Sequence, residues 1–214
     1  MRDAKLDYSL YLVTDRSLSG GRSSVDIVSA AIKGGVSCVQ LREKECSTRE
    51  FITEALALKT VLKRLGIPLL INDRVDVALA VEADGVHLGQ SDMRIADARR
   101  ILKPQMVVGI SAESVADAIE AEKEGADYIG ISPVFTTGTK SDTAPPLGLE
   151  GVRLIRAEVD IPLVGIGGIN AANGADVIHH GADGIAVVSA IVSAVDPECA
   201  ARELLRATFN RYSN

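Results

Sequence analysis

Leu69-Leu-Ile-Asn-Asp-Arg74 and Gly85-Val-His-Leu-Gly-Gln-Ser-Asp-Met93 frame a unit that recurs along the whole chain. Leu69 to Ile71 is a continuous apolar run, the pattern of a buried strand, and it stops at Asn72-Asp73. Val86 to Leu88 is a second such run, stopping just before Gln90 and Asp92. Between them, Val75 to Ala83 repeats apolar residues at helical spacing. Two parallel strands joined by a helix place their C-terminal ends on the same side. Asp73 and Asp92 therefore emerge at one rim, although they lie far apart in sequence. A pair of carboxylates at a rim suits a hard dication such as Mg²⁺, which takes one or two carboxylates together with substrate phosphate oxygens. An Asp that follows a strand also serves as a helix N-cap, and at this level both readings of Asp73 and Asp92 stand.

Outward from this unit the alternation continues in both directions. Leu10 to Val13 reads as the first strand and closes at Thr14-Asp15-Arg16. Ser23 or Ser24 opens a helix that ends at Gly34-Gly35, and Val36 to Leu41 is the second strand, ending in Arg42-Glu43-Lys44. Ser47 or Thr48 caps a long helix through Arg64. Beyond Asp92, a helix from Arg94 to Leu102 leads to a strand over Met106 to Ile110, and Ser114 opens the next helix. Tyr128 to Phe135 reads as the sixth strand, followed by a long polar connection from Thr136 to Leu147. Glu150 to Glu158 is helical, Pro162 to Ile166 is strand seven, Gly184 to Ile191 strand eight, and Pro197 to Phe209 the last helix. Ala83-Asp84-Gly85, Gly125-Ala126-Asp127 and Gly181-Ala182-Asp183-Gly184 recur before even-numbered strands. Eight such units in a chain of 214 residues predict an α/β fold, a single (β/α)8 TIM barrel over residues 1–214 with its active site at the strand C-termini. A doubly wound open sheet shares the alternation but rarely keeps eight such even units.

Composition narrows the function classes. Hydrophobic residues are 47%, which excludes global disorder, whereas aromatics are 3% with no Trp, leaving few platforms for base stacking. A net charge of −6 disfavours a nucleic-acid partner or an anionic membrane surface, both of which need a basic face. Cys38, Cys46 and Cys199 are odd in number and lack metal-site spacing, so neither a disulfide framework nor a zinc site is expected. Met1 to Tyr8 has no apolar signal core, and no run approaches a membrane span. A soluble, cytoplasmic protein acting on small molecules is expected, with a homo-oligomer left open.

The rim positions are polar: Gln40, Arg42, Lys44, Asn72, Asp73, Asp92, Ser111, Thr137, Thr139, Lys140, Gly167, Gly168 and Ser189. Gln40, Arg42 and Lys44 alternate and so share one face, fit to grip a diphosphate or simply to pair with Asp73 or Asp92. Gly165-Ile-Gly-Gly168, with Val188-Ser189, falls where barrels commonly bind phosphate through backbone N–H groups; the same glycines could make only a tight turn. Thr136 to Thr143 carries many hydroxyls and Lys140, as an anion clamp or as a solvated loop. His87, inside a strand, reads as a core or rim histidine, and His179-His180 as solvated. None has an evident nucleophile partner, which argues against triad hydrolysis.

Tyr11-Leu-Val-Thr-Asp15, Gln40-Leu-Arg-Glu-Lys44, Asn72-Asp-Arg74, Gly85-Val-His-Leu-Gly-Gln-Ser-Asp92, Gly109-Ile-Ser111, Thr137-Gly-Thr-Lys140, Val164-Gly-Ile-Gly-Gly168 and Val188-Ser189 together resemble the thiamine-phosphate synthase family, in order and from strand one to strand eight. The resemblance implies a transferase that joins a hydroxymethylpyrimidine diphosphate to a thiazole phosphate, or its carboxylated form, giving thiamine phosphate and diphosphate through a pyrimidine carbocation. It implies pyrimidine diphosphate binding by Gln40, Leu41, Arg42, Glu43, Lys44, Asn72, Ser111 and Lys140, with Arg42, Lys44, Lys140 and Ser111 as the catalytic set. It places the thiazole phosphate on Thr137, Gly138, Thr139, Gly167, Val188 and Ser189, and one Mg²⁺ on Asp73 and Asp92. The family's loop usually begins Pro-Thr where this chain has Thr136-Thr137, which bears on loop closure. A thiazole tautomerase on the related barrel, and a barrel that only binds thiazole or thiamine phosphate, are the competing expectations; neither needs the full set of cations and carboxylates.

Overall fold

The computed structural model describes residues 6–138 and 145–209. Eight parallel strands close into a barrel, each hydrogen-bonded to the next and the eighth to the first. They are β1 (Leu10–Val13), β2 (Cys38–Leu41), β3 (Leu69–Asn72), β4 (Gly85–Leu88), β5 (Val107–Ala112), β6 (Tyr128–Ile131), β7 (Leu163–Ile166) and β8 (Gly184–Val187). The helices around them are α1 (Ser24–Lys33), α2 (Thr48–Leu65), α3 (Val75–Ala80), α4 (Ile95–Ile101), α5 (Val115–Lys123), α6 (Gly148–Glu158), α7 (Gly174–His179), α8 (Ser189–Val192) and α9 (Pro197–Phe209). The TIM barrel expected from the alternation is the fold observed.

The period of two along each strand divides the core. Leu10, Leu12, Val39, Leu41, Leu69 and Ile71 belong to the large apolar layer that also takes in the helices. Tyr11, Val13, Cys38, Leu70, Tyr128, Val164 and Ala186 form a separate inner cluster with Tyr8. The inner cluster fits only because Gly109 has no side chain: a Cβ there would stand 2.1 Å from the Tyr128 ring.

The recurring Asp residues have a structural purpose. Asp84, Asp127 and Asp183 each accept, at 2.8 Å, a backbone N–H at the start of the preceding strand, from Leu69, Val108 and Leu163 respectively. Ser37 does the same for Leu10 at 3.1 Å. Every second strand thus begins on a side-chain acceptor at the N-terminal face, where edge N–H groups would otherwise lack partners. The helix starts follow capping rules: Ser47 and Glu50 form a reciprocal capping box on α2, whose C-terminal Gly66 is left-handed at φ 68. Ser23 and Ser114 cap α1 and α5.

β6 and β8 end well before the apolar runs that predict them, and β2 starts at Cys38 rather than Val36 and β7 at Leu163 rather than Pro162. β6 ends at Ile131, before Pro133, which has no N–H for a ladder. β8 ends at Val187, and the apolar residues that follow wind into the single turn of α8. A short apolar run does not distinguish strand from buried helix.

Candidate active site

At the C-terminal mouth of the barrel the β-to-α connections enclose a cavity of about 970 Å³. It is lined by Gln40, Arg42, Lys44, Asn72, Asp73, Asp92 and Ser111 from the first five units, and by Thr137, Gly138, Gly167, Gly168, Val188 and Ser189 from the last three. Residues dispersed over the sequence are therefore gathered into one site. Leu41 and Glu43 are not among them: alternation along β2 turns Leu41 into the outer core and Glu43 away from the cavity, toward Arg16. Thr139 and Lys140 lie outside the described residues.

One end of the cavity is built from opposed charges. Arg42 leaves β2 with its backbone N–H donating to Thr14 Oγ1 at 3.0 Å and its guanidinium paired with Asp15 Oδ2 at 2.7 Å. Lys44 Nζ pairs with Asp73 Oδ2. Asp73 has φ 60, a region that non-glycine residues seldom occupy. Its N–H donates to the His87 carbonyl at 2.8 Å, which fixes the turn. Asp92 Oδ2 accepts from Gly89 N–H at 2.7 Å and closes the loop after β4.

Neither aspartate caps the helix that follows it. Those positions fall to Arg74 and Arg94, without side-chain capping bonds, so of the two readings the cap is the one the structure does not support. The carboxylates instead face each other. For Asp73 burial works upward, yet the Lys44 ammonium together with a hydrogen bond from Asp92 outweighs it and holds the carboxyl below its ordinary range. Asp92 is pushed up by burial and by the neighbouring Asp73 charge. Asp73 and Asp92 lie near enough to perturb one another while Lys44 pairs with Asp73, and a divalent cation would relieve the repulsion between the two ionised carboxylates. Among the described residues no group of three or more His, Cys, Asp or Glu could hold a metal; any cation here would draw further oxygens from its ligand.

The opposite end is backbone-rich. Gly167 and Gly168 have φ 100 and 66, and a Cβ on either would fall within 2.9 Å of Pro133, Phe135 or Thr136. The turn requires glycine, and both glycines line the cavity. Between the two ends the floor is polar: Gln40, Asn72 and His87 are buried there beside Ser111.

The sequence did not single out Asp15, which anchors Arg42, or the tyrosines at the floor. Tyr11 Oη lies 2.8 Å from Gln40 Nε2 and 3.0 Å from Tyr128 Oη, and His87 Nδ1 lies 2.7 Å from Tyr128 Oη. The inward register of Tyr11, two positions before Val13, was the signal available for them.

The chain is similar to known proteins over most of its length. The family model described as thiamine monophosphate synthase matches residues 10–191. The chain is 56% identical over 199 residues to the thiamine-phosphate synthase of Chloroflexus aurantiacus, covering 93% of this chain and 92% of that one. It is 55% identical over 195 residues to that of Albidiferax ferrireducens, covering 91% and 89%. The solved thiamine phosphate pyrophosphorylase from Pyrococcus furiosus superposes with a TM-score of 0.87 at 42% identity, over 94% of this chain and 96% of that one.

Proposed function

The chain belongs to the thiamine monophosphate synthase family, whose members are transferases of thiamine biosynthesis, and from that premise we propose that its cavity condenses an aminopyrimidine diphosphate with a thiazole phosphate. The observation that carries the proposal is the polarity of the single cavity, with Arg42, Lys44, Asp73 and Asp92 at one end and the Gly167-Gly168 turn with Ser189 at the other. A diphosphate fits the first end and a monophosphate the second, which sets two reactants head to head.

Asp73 and Asp92 would hold Mg²⁺, and the all-oxygen donors fit that ion. When bound, the ion supplies positive charge toward the diphosphate oxygens. The remaining work belongs to the chain. Arg42, held rigid by Asp15, and Lys44 grip the leaving diphosphate; Lys140 joins them by the family resemblance. The bond from the pyrimidine methylene carbon to the diphosphate oxygen breaks, its electron pair leaving with the diphosphate. The thiazole nitrogen lone pair then forms the new carbon–nitrogen bond. No proton is removed from that nitrogen, so no general base is required. Positioning and electrostatics carry the rate.

Incubation of purified protein with both substrates, with Mg²⁺ or with chelator, tests this through the fluorescence of oxidised thiamine phosphate. Metal-dependent product is expected. Thiazole phosphate binding without product would put a tautomerase or a binding barrel in its place.

A further inference from the structure

At the cavity floor, five side chains from five strands form one continuous hydrogen-bonded chain, and all five line the cavity. Gln40 Nε2 donates to Tyr11 Oη at 2.8 Å, Tyr11 Oη meets Tyr128 Oη at 3.0 Å, Tyr128 Oη meets His87 Nδ1 at 2.7 Å, and His87 Nε2 meets Ser111 Oγ at 3.0 Å. Tyr11 and Tyr128 are 1% and 0% exposed, so water offers them no alternative partners. Both ends of the chain, Gln40 and Ser111, line the cavity.

Each tyrosine has one proton, and this sets the direction of the whole chain. With Gln40 donating to Tyr11, the Tyr11 proton must pass to Tyr128; a reversed bond would leave a buried hydroxyl proton with no acceptor, which is costly. The Tyr128 proton then goes to His87 Nδ1. The imidazole is thereby the Nε2–H tautomer and donates to Ser111 Oγ. Two consequences reach the cavity. Gln40 has committed one of its two amide N–H groups to Tyr11, which fixes the orientation of the amide, and offers its carbonyl oxygen. Ser111 Oγ has accepted from His87 and offers its proton.

We propose that Tyr11, Tyr128 and His87 are positioning residues, a fixed-polarity relay that makes Gln40 an acceptor and Ser111 a donor and so selects a heteroaromatic ring bearing an exocyclic amine beside an unprotonated ring nitrogen. The proposal rests on the synthase reading and deepens it, because it states how the site distinguishes an aminopyrimidine from its oxo counterpart. In the oxo ring the donor and acceptor are exchanged, so both hydrogen bonds would oppose like groups. Removing either tyrosine hydroxyl frees the ends to turn over and accept either pattern.

Calorimetric dissociation constants for 4-amino and 4-oxo pyrimidine diphosphates in Mg²⁺ test this with wild type, Tyr128→Phe and Tyr11→Phe. Wild type should favour the amino ring about a hundredfold, two hydrogen bonds at about tenfold each. Each variant should reduce that preference below about tenfold while its KM for thiazole phosphate stays unchanged. An undiminished preference in either folded variant, or an equal weakening toward both substrates, overturns the relay. The ¹⁵N spectrum of the wild-type histidines decides independently of the variants: His87 is expected as the Nε2–H tautomer, and the Nδ1–H form overturns the assigned direction. Amino preference without thiamine phosphate formation would strike the synthase reading and leave the relay standing.

Discussion

Replacing Glu43 by Gln should stabilise the protein, increasingly as the pH rises from about 4.5 to about 7. Glu43 follows β2, and its side chain is 4% exposed. Oε2 lies 3.2 Å from Arg16 Nε, while Oε1 is buried with no hydrogen-bond partner. Burial, then the nearby Glu54 charge, push its carboxyl from an ordinary 4.5 to about 7. At about 1.4 kcal/mol per tenfold change in proton affinity, that rise is worth about 3 kcal/mol. Because the folded state holds this proton more tightly than the unfolded chain, the penalty is absent below about pH 4.5, grows through the interval to 7, and is complete above it. The isosteric amide never ionises. The rise to about 7 already contains the attraction to the half-exposed Arg16, and discounting it for solvent screening leaves a net gain at pH 8 of about 2 kcal/mol. At about 2–4 °C per kcal/mol for a chain of this size, the melting temperature should rise by about 4–8 °C. Urea unfolding of both proteins at pH 5 and pH 8 measures this directly. A stability difference that is the same at the two pH values would refute the reasoning, whatever its sign.

The other predictions concern the site and the barrel floor. Asp92→Ala, and Lys140→Ala by the family resemblance, should lower turnover by orders of magnitude with an unchanged circular dichroism spectrum; wild-type turnover in either would defeat the assignment. Asp15→Asn removes the charge partner 2.7 Å from Arg42 and should raise KM for the pyrimidine diphosphate about tenfold, roughly 1.4 kcal/mol, with KM for the thiazole phosphate unaffected. Gly109→Ala places a methyl 2.1 Å from the Tyr128 ring, where overpacking costs about 1–3 kcal/mol or more, and should lower the urea midpoint or prevent soluble expression; a variant as stable as wild type would show that the ring has room to move.

The barrel was legible because the units share one alternation, an apolar run ending at a polar rim residue and then a helix, sharpened at α1, α2 and α5 by a serine cap and a following glycine. The rim residues were legible through the same rule, since the end of each apolar run marks a strand C-terminus: Asn72, Asp73, Asp92 and Ser111 all followed from it, and all line the cavity. What the pattern hid is lateral. Tyr11 and Tyr128 are 117 positions apart in sequence yet share a hydrogen bond, and nothing in either local sequence says so. His87 looked unremarkable because its partners are hydroxyls from two other strands rather than a nearby nucleophile. The ends of β6 and β8 were overrun because an apolar run carries no mark of where strand becomes turn or helix; only Pro133 gave one.

A single-turnover experiment with protein in excess over both substrates tests the central claim most directly, by counting thiamine phosphate and diphosphate formed for each pyrimidine diphosphate consumed in Mg²⁺. One of each is expected, with none in chelator. Diphosphate released without thiamine phosphate, the pyrimidine being lost to water, would contradict a cavity that holds the two reactants head to head.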